Sequence, residues 1–231
     1  MSGSAAPRVL LSRSVLLQNA QRLLAPAGGV VDLRHDAYGH GLDGVAPIVV
    51  EAGATAVQVG SEDEARRLRA SGIPVSTDAS ADVDVHELFG IPDAGGAASG
   101  MPVMSLHGRV LSTKPLHAGE AVSYGYTHRA SRDTRVALVT GGYAQGILRA
   151  LGNRARVQIA EHMHPIVGRI AMDVCVVDLE GADAAVDTPV IYFGGSGAMR
   201  DTLAQWASGT GLTALEMAVV IGSNGERSWQ A

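Results

Sequence analysis

Side chains that could do acid–base chemistry follow directly on a short apolar run near residue 30. The run begins at Val30 and indicates a buried strand. Strand-then-helix units usually place chemistry where such a strand ends. The polar residues that follow the run are Arg34, His35, Asp36, Tyr38 and His40. We therefore expect a functional site at this strand end.

The lysine count limits what covalent chemistry the chain could perform. Of its 18 basic residues, 17 are arginine and one, Lys114, is lysine. An imine with an aldehyde cofactor needs a side chain that can become a neutral amine, which lysine can and arginine cannot. Any such anchor must therefore be Lys114. Because Lys114 precedes Pro115 in a segment of the predicted β-domain, we expect an ordinary exposed lysine at a strand end.

A second group of candidate residues lies in the later half of the chain. These residues are Tyr124, Tyr126, His128, Tyr143 and Met172. A guanidinium binds carboxylate or phosphate with two parallel hydrogen bonds, and it favours ionisation of a nearby tyrosine. We therefore expect Arg34 and Tyr124 to be catalytic. The expected substrate-binding residues are Tyr38, His40, His35, Tyr143, Met172 and His128. The competing interpretation is that the tyrosines serve packing and interfaces.

Composition and charge exclude several classes of protein. A net charge of −5 without a basic stripe argues against nucleic acid as a partner. No apolar run approaches the length of a membrane span and no leader pattern is present, which predicts a cytoplasmic protein. Cys175 lies in an apolar run, which is typical of a core thiol in a reducing compartment. His162 and His164 lack a third ligand at zinc spacing, so we expect a loop pair and no metal.

The order of predicted elements indicates two kinds of structure. Strands and helices alternate up to about residue 78, whereas residues 79–101 read as a linker. A complete eight-stranded barrel needs about 250 residues, so the sequence predicts only a partial (β/α) barrel. From Pro102 onward the period approaches two, which predicts an all-β domain. The predicted fold class is α/β plus all-β, with domains at 1–95 and 96–231.

Several elements of the later half can be placed. We expect a helix near Arg200–Ala207 and a final strand around Leu215–Ile221. The other candidate strands are Val103–Leu111, Ala121–Tyr126, Thr134–Val139, Arg156–Ile159, Arg169–Leu179 and Val190–Phe193.

The motifs of the chain resemble those of the alanine racemases, in one consistent order. Ala37-Tyr38-Gly39-His40-Gly41 is similar to the segment that follows the cofactor lysine in that family, but Arg34 stands where the lysine should be. Glu216 and Arg227 fall in register with the C-terminal signature of the family. The other matching segments are Ala118–Gly125, Gly142–Gly146 and Pro165–Asp173.

The resemblance implies how the site would be assembled. In these racemases a lysine and a tyrosine face opposite sides of an imine between pyridoxal phosphate (PLP) and the substrate. The tyrosine comes from the partner subunit, so the resemblance implies a homodimer with a site at its interface. Tyr124 would be that tyrosine, and Tyr38 would contact the cofactor phosphate. Leu215 replaces a second phosphate-contacting tyrosine, and the arginine that pairs with the pyridine nitrogen has no counterpart.

Three hypotheses about function follow. With three cofactor supports missing, we expect no cofactor and a PLP-independent proton-transfer enzyme of the isomerase or cyclase type. It would act on a small anionic metabolite, for example in specialised biosynthesis. The second hypothesis is a non-catalytic pseudoenzyme that binds a ligand or a protein. The third is a residual PLP-dependent amino-acid racemase, with PLP held non-covalently or as a vestige.

Overall fold

The computed structural model describes residues 6–77, 80–93, 96 and 100–231. The strands in these ranges are β1 (Arg8–Ser12), β2 (Val30–Asp32), β3 (Ala56–Gln58), β4 (Met104–Leu116), β5 (Ala121–Val122), β6 (His128–Arg129), β7 (Thr134–Thr140), β8 (Arg156–Ile159), β9 (His162–Val167), β10 (Val174–Asp178), β11 (Pro189–Phe193) and β12 (Glu226–Gln230). The helices are α1 (Arg13–Leu24), α2 (Arg34–Tyr38), α3 (Leu42–Glu51), α4 (Glu62–Ala70), α5 (Val85–Phe89), α6 (Thr202–Thr210) and α7 (Ala214–Asn224).

Six antiparallel strands close into a barrel. The sheet runs β11-β8-β9-β10-β7-β4, and a further pairing of β11 with β4 joins its two ends. Strand β4 is 13 residues long and pairs with β11 through its first half and with β7 through its second. A register shift between Val110 and Ser112 separates the two halves. Such a bulge bends the strand, which lets one strand serve two neighbours.

The first strand of the chain belongs to this large sheet. Strand β1 pairs antiparallel with β4 and parallel with β12, so both ends of the chain meet beside the barrel. The predicted boundary between residues 95 and 96 remains a prediction, and this pairing crosses it.

The α/β part is small. Strands β2 and β3 pair in parallel, and Val75 adds a single parallel bridge to Val57. The chain itself covers both edges of the pair. At one edge Asp82 bonds the backbone of Val30, and at the other Pro74 and Ser76 bond the backbone of Val57. The predicted combination of an α/β part and an all-β part is confirmed.

The C-terminal prediction of a strand at Leu215–Ile221 was wrong, because this segment forms helix α7. Thr213 accepts a hydrogen bond from the Glu216 N–H, and Glu216 in turn accepts from the Thr213 N–H, which makes a capping box. The buried residues of α7 recur at helical spacing: Ala214, Met217, Ala218, Ile221 and Gly222. The segment is apolar almost throughout, so its sequence also fits a buried strand.

Other elements differ from their predicted ranges by a few residues. The expected helix at Arg200–Ala207 begins at Thr202. The expected strand at Arg169–Leu179 starts only at Val174, because Gly168 takes a φ of 75° and the chain turns after it. His162 and His164, expected in a loop, lie in strand β9. Within the predicted linker, α5 forms one short helix, while residues 94–95 and 97–99 lie outside the described ranges.

The single cysteine of the chain, Cys175, lies in the core. Cys175 is 1% exposed, and its thiol donates to the Gly141 carbonyl oxygen at 2.8 Å. Burial raises the pKa of this thiol to about 12, so it is a packing residue and not a nucleophile. No helix in the described ranges is long and apolar enough to cross a bilayer.

Candidate functional site

Three residues at the end of β2 form what we call the strand-end cluster: Asp32, Arg34 and Tyr38. Asp32 is 5% exposed. The Arg34 guanidinium donates to both of its carboxylate oxygens from Nε and Nη2, at 2.6 to 3.1 Å. The Tyr38 hydroxyl donates to Asp32 Oδ2 at 2.6 Å. One buried carboxylate therefore engages both side chains that were expected to bind a ligand.

The charges of this cluster balance internally. Burial disfavours the Asp32 carboxylate, but hydrogen bonds from Arg34 and Tyr38 outweigh it and hold the pKa of Asp32 below its ordinary value of 3.8. Burial and the Asp32 carboxylate raise the pKa of Tyr38, so this phenol keeps its proton at neutral pH. Asp32 also raises the pKa of Arg34. The Arg34 guanidinium alone would lower the pKa of Tyr38, and the Asp32 carboxylate offsets that lowering.

The turn after the cluster is a single turn of left-handed helix. His35, Asp36, Ala37 and Tyr38 have φ values between 51° and 56°. Residues with side chains rarely adopt this conformation in succession, because the Cβ approaches the backbone oxygen. The surrounding structure must therefore hold the turn in place.

Two contacts supply that restraint. Asp36 accepts hydrogen bonds from the Leu42 N–H at 2.7 Å and from Arg227 Nη1 at 2.5 Å. Arg227, on β12, also donates to the Gly39 carbonyl oxygen at 3.1 Å. Gly39 packs directly on Gly222 of α7, where a Cβ on either residue would meet backbone. The C-terminal end of the chain thus clamps the strand-end turn.

His40 is placed where a ligand does not reach it. Its ring is fully buried and stacks on Phe89 with 3.9 Å between ring centroids. The backbone oxygens of Ala37 and Tyr38 lie 3.1 and 3.2 Å from Nδ1. Burial lowers the pKa of His40 to about 4, so the ring is neutral. The structure therefore gives His40 a packing role, whereas the sequence placed it in the substrate site. His35 is exposed and lies edge-on to Tyr38.

A second site lies on the outside of the barrel, and we call it the tyrosine cavity. It encloses about 860 Å³. Its polar lining includes Ser112, Lys114, Tyr124, Tyr126 and Arg169, and none of the described residues that line it is acidic. Val136, Leu138, Val174 and Val176 form its apolar floor. Two cations above an apolar floor favour a small organic anion.

The turn that carries Tyr124 is fixed against Arg169. Ser123 takes a φ of 65°, and its hydroxyl donates to the Arg169 carbonyl oxygen at 2.5 Å. The guanidinium carbon of Arg169 lies 3.4 Å from the point where a side chain on Gly125 would begin. The Arg169 charge therefore lies beside the glycine that separates the two tyrosines. Tyr124 and Tyr126 are 72% and 70% exposed.

Lys114 reaches the same cavity from strand β4. It lies opposite Val136 of β7, and Ser112 lies opposite Leu138. Residues two apart on a strand point to one face, so Ser112 and Lys114 stand side by side on the cavity wall. Lys114 is exposed, as expected from the sequence. The sequence did not show that it shares a cavity with Tyr124.

The remaining candidates divide into two groups. Tyr143 and Met172 are brought together, because the Tyr143 N–H donates to Ala171 and the Ala144 N–H to Met172, each at 3.0 Å. Ala171 lines the tyrosine cavity, so this pair lies at its edge. His128 pairs with Val122 across the β5–β6 hairpin but lines a different cavity of about 310 Å³ with Asp178 and Glu180.

Within one chain the two sites are separate. Arg34 and Tyr38 do not line the tyrosine cavity. In the described ranges, no group of three or more His, Cys, Asp or Glu side chains is arranged to hold a metal ion.

Comparison with known proteins shows which family the chain belongs to. The model of the alanine racemase C-terminal domain matches residues 103–229, which include both tyrosines of the cavity, Lys114 and Arg169. The chain belongs to the alanine racemase family. The alanine racemase of Mycobacterium avium (strain 104) is 41% identical over 127 residues, covering 54% of this chain and 32% of that protein. That of Bordetella petrii is 41% identical over 120 residues, covering 51% and 32%.

The matched segments thus span about a third of the length of these curated racemases. Solved racemase structures resemble the whole chain. The enzyme from D-cycloserine producing Streptomyces lavendulae has a TM-score of 0.85 at 18% identity, with 100% of this chain and 98% of that chain covered. The Bacillus anthracis enzyme with bound L-Ala-P has a TM-score of 0.82 at 18% identity, with 100% and 96% covered. At these identities the likeness establishes the fold.

The racemase family depends on PLP, and the strand end of this chain does not fit a covalently held PLP. The polar side chains of this strand end include no lysine, and the Arg34 guanidinium forms no imine. The Tyr38 hydroxyl donates its hydrogen bond to Asp32 and is therefore not offered to a phosphate. Leu215, in the first turn of α7, has no hydroxyl to offer. We therefore assign no chemistry to PLP at this strand end.

Sequence reasoning missed Asp32 and Arg169 as site residues, and it named Lys114 without placing it in a cavity. Asp32 could have been noticed as a carboxylate inside an apolar run, which requires a partner. Arg169 could have been noticed in the Gly168-Arg169 segment that matched the racemases. For Lys114, its position before a proline carried no signal of a cavity.

Proposed function

We propose that the chain binds a small organic anion in the tyrosine cavity and that Tyr124 exchanges a proton with it. The charge of the lining supports this most directly, because Lys114 and Arg169 contribute two cations and no described lining residue is acidic. The volume of about 860 Å³ falls among small-molecule sites, which range over about 300–1,000 Å³. PLP has no part in this proposal.

Each polar residue of the cavity has a role in the proposal. Arg169 binds the carboxylate or phosphate of the ligand through parallel hydrogen bonds. The Tyr124 hydroxyl, on a side chain that is 72% exposed, is open to a ligand and moves the proton. The apolar floor keeps water from the reacting carbon.

A second copy of the chain is the proposed partner that closes the cavity. Tyr124, Tyr126 and Met172 are 72%, 70% and 54% exposed, and apolar groups of this size that lie together mark interaction surfaces. Arg34 and His35 are exposed at the strand end, so a partner could present them to the ligand. Asp32 would then fix the direction of the Arg34 guanidinium. Tyr38 and Tyr143 would line the closed site.

Proton exchange tests the catalytic role of Tyr124. With pyruvate as the probe in deuterated buffer, the wild-type protein is expected to accelerate exchange of the methyl protons, followed by ¹H NMR. Tyr124→Phe removes the hydroxyl and should slow this exchange by about 100-fold, the usual size of an acid–base contribution. Circular dichroism and the melting temperature check that the variant is folded. Equal exchange by both proteins contradicts the proposal.

A non-catalytic binding protein is the second candidate, and the engagement of Arg34 by Asp32 favours it. Pyruvate binding in the absence of protein-dependent exchange would assign this function. Inversion of L-alanine by the protein with added PLP, followed by polarimetry, would instead support a residual racemase.

A further inference from the structure

When a proton leaves carbon, the electron pair of the C–H bond must be stabilised. The described residues of the tyrosine cavity include no group arranged to hold a metal ion. Arg169 can neutralise an anion, but it does not withdraw electrons from a neighbouring C–H bond. A protonated imine does so, because its positive nitrogen is bonded to the carbon next to the one that loses the proton. The side chain that forms such an imine is lysine.

The lysine that could do this is in the cavity. Lys114 is the single lysine of the chain, and it lines the cavity together with Tyr124 and Arg169. It makes no salt bridge with any described residue, whereas Arg34, Arg109 and Arg227 are each paired with a carboxylate. Its register partner Val136 belongs to the apolar floor. An amine above an apolar floor is accessible to a carbonyl carbon.

We infer that Lys114 forms an imine with the carbonyl group of a small 2-oxo carboxylate. This inference rests on the proposed function and names its class of substrate. The neutral Nζ adds to the carbonyl carbon and a C–N bond forms. The two hydrogens of the amine pass to the carbonyl oxygen, which leaves as water, and a proton from solvent on the nitrogen gives the protonated imine. Carbonyl compound and amine thus give imine and water, without oxidant or reductant.

The cavity provides a position for each end of such a substrate. Arg169, held beside Gly125, pairs with the carboxylate, while Lys114, which lines the same cavity from β4, takes the carbonyl carbon. Tyr124, next to Gly125 in the chain, removes the proton from the carbon next to the imine. This arrangement removes the need for a substrate whose C–H bond is already acidic.

Reductive trapping tests the imine. Wild-type protein is incubated with pyruvate and sodium borohydride, and the adduct is located by mass spectrometry of the tryptic peptide 110–129. That peptide contains Lys114, because trypsin does not cleave before Pro115. We expect saturable labelling of Lys114 at low pyruvate concentration, at least tenfold above labelling of the N-terminal amine. The N-terminal amine is the internal reference for simple amine reactivity.

Matched variants separate a built site from an exposed lysine. Arg169→Gln should reduce labelling of Lys114 at least fivefold, whereas Arg66→Gln, in an exposed ion pair on α4, should leave it unchanged. Acetone, which lacks the carboxylate, should label Lys114 at least fivefold less than pyruvate. Labelling that equals the N-terminal amine, or that is indifferent to Arg169→Gln, overturns the inference.

The two proposals fail in different ways. If Lys114→Arg abolishes labelling but keeps full proton exchange, the imine is not on the reaction path and the proposed function stands. If Tyr124→Phe keeps both labelling and exchange, the imine stands and the proposed role of Tyr124 fails.

Discussion

At the scale of single residues, Asp32 decides what Arg34 can do. A free guanidinium at the strand end would attract an anion, but this one already holds a carboxylate at 2.6 Å. Its side chain is still 46% exposed, so the charge is oriented and not hidden. The exposed cations of the tyrosine cavity are therefore better placed as primary ligands than Arg34 alone.

Asp32→Asn should lower the free energy of unfolding by roughly 1–3 kcal/mol near pH 7. The substitution removes the negative charge to which Arg34 and Tyr38 donate their hydrogen bonds. The pKa of Asp32 in the folded protein is below its ordinary value of 3.8. The stabilisation is therefore complete above about pH 5 and is lost as the pH falls through the folded pKa. Urea denaturation near pH 7 and near pH 3 measures both effects.

Asp63→Asn is the control for this experiment, because Asp63 forms an ion pair on the surface of α4 and should change stability little at either pH. A stability difference for Asp32→Asn that is the same near pH 3 as near pH 7 would show that Asp32 is not held ionised by its neighbours.

His40 should make stability fall as the pH drops from about 6.5 to about 4. In the unfolded chain His40 takes up a proton near its ordinary value of 6.5, whereas in the folded protein its pKa is about 4. The unfolded state therefore binds more protons in this window, and the loss amounts to roughly 3 kcal/mol. Urea denaturation across the window measures it.

His40→Asn should flatten this pH dependence, since an amide can donate to the same backbone oxygens without titrating. His162→Asn, which removes an exposed histidine of β9, should keep the slope. Burial also lowers the pKa values of His107 and His164, so a smaller slope should remain in the variant. A slope that is the same in His40→Asn as in the wild-type protein would contradict the role of His40.

At the scale of elements, helix α7 holds the strand-end turn. Its Gly222 packs on Gly39, and Gly146 approaches Ile221 of the same helix from the barrel side. These close approaches need glycine because the backbones themselves are in contact. The helix therefore links the α/β part to the barrel.

Gly222→Ala should destabilise the protein by about 1–3 kcal/mol or more, because the added Cβ would overlap the Gly39 carbonyl oxygen. Gly209→Ala in α6 is the matched control, since nothing lies within 4 Å of its Cβ position. That change should stabilise by about 0.5–1 kcal/mol through higher helix propensity. Thermal and urea denaturation of both variants decide the matter. If Gly222→Ala is as stable as Gly209→Ala, the contact between α7 and the turn is not tight.

At the scale of the whole molecule, the short parallel sheet does not need a partner to cover its edges. Its own residues Asp82 and Pro74–Ser76 bond the outer backbone groups of β2 and β3 at Val30 and Val57. These edges therefore supply no reason for a dimer. The exposed tyrosines of the cavity remain the reason to expect a dimer.

Tyr126→Asp should therefore shift a dimer to monomer, because it places a charge in the centre of the proposed interface. Val186→Asp is the control, since Val186 is 61% exposed but does not line the tyrosine cavity. Size-exclusion chromatography with light scattering measures the mass of each protein. A wild-type protein that is monomeric at high concentration would refute the proposed partner.

Much of the fold could be predicted from local pattern. Strand β8 was predicted with its observed ends, because apolar spacing acts within one element. The family was also readable, since segments such as Pro165–Asp173 keep their order along the chain. Helix α7 was missed because a dense apolar run satisfies both a helix and a buried strand.

The sequence by itself determined that Arg34 could not hold a cofactor as an imine and that Lys114 was the sole alternative, because these conclusions depend only on which side chains exist. It also determined that Cys175 was a core residue, as its apolar neighbours indicated. Only the tertiary structure decided that Asp32 neutralises Arg34 and that Lys114, Tyr124 and Arg169 share one cavity. The cavity brings together residues on different strands and turns, so strand register and the closure of the barrel set it. The Asp32–Arg34 pair is local, and the turn that follows β2 sets it.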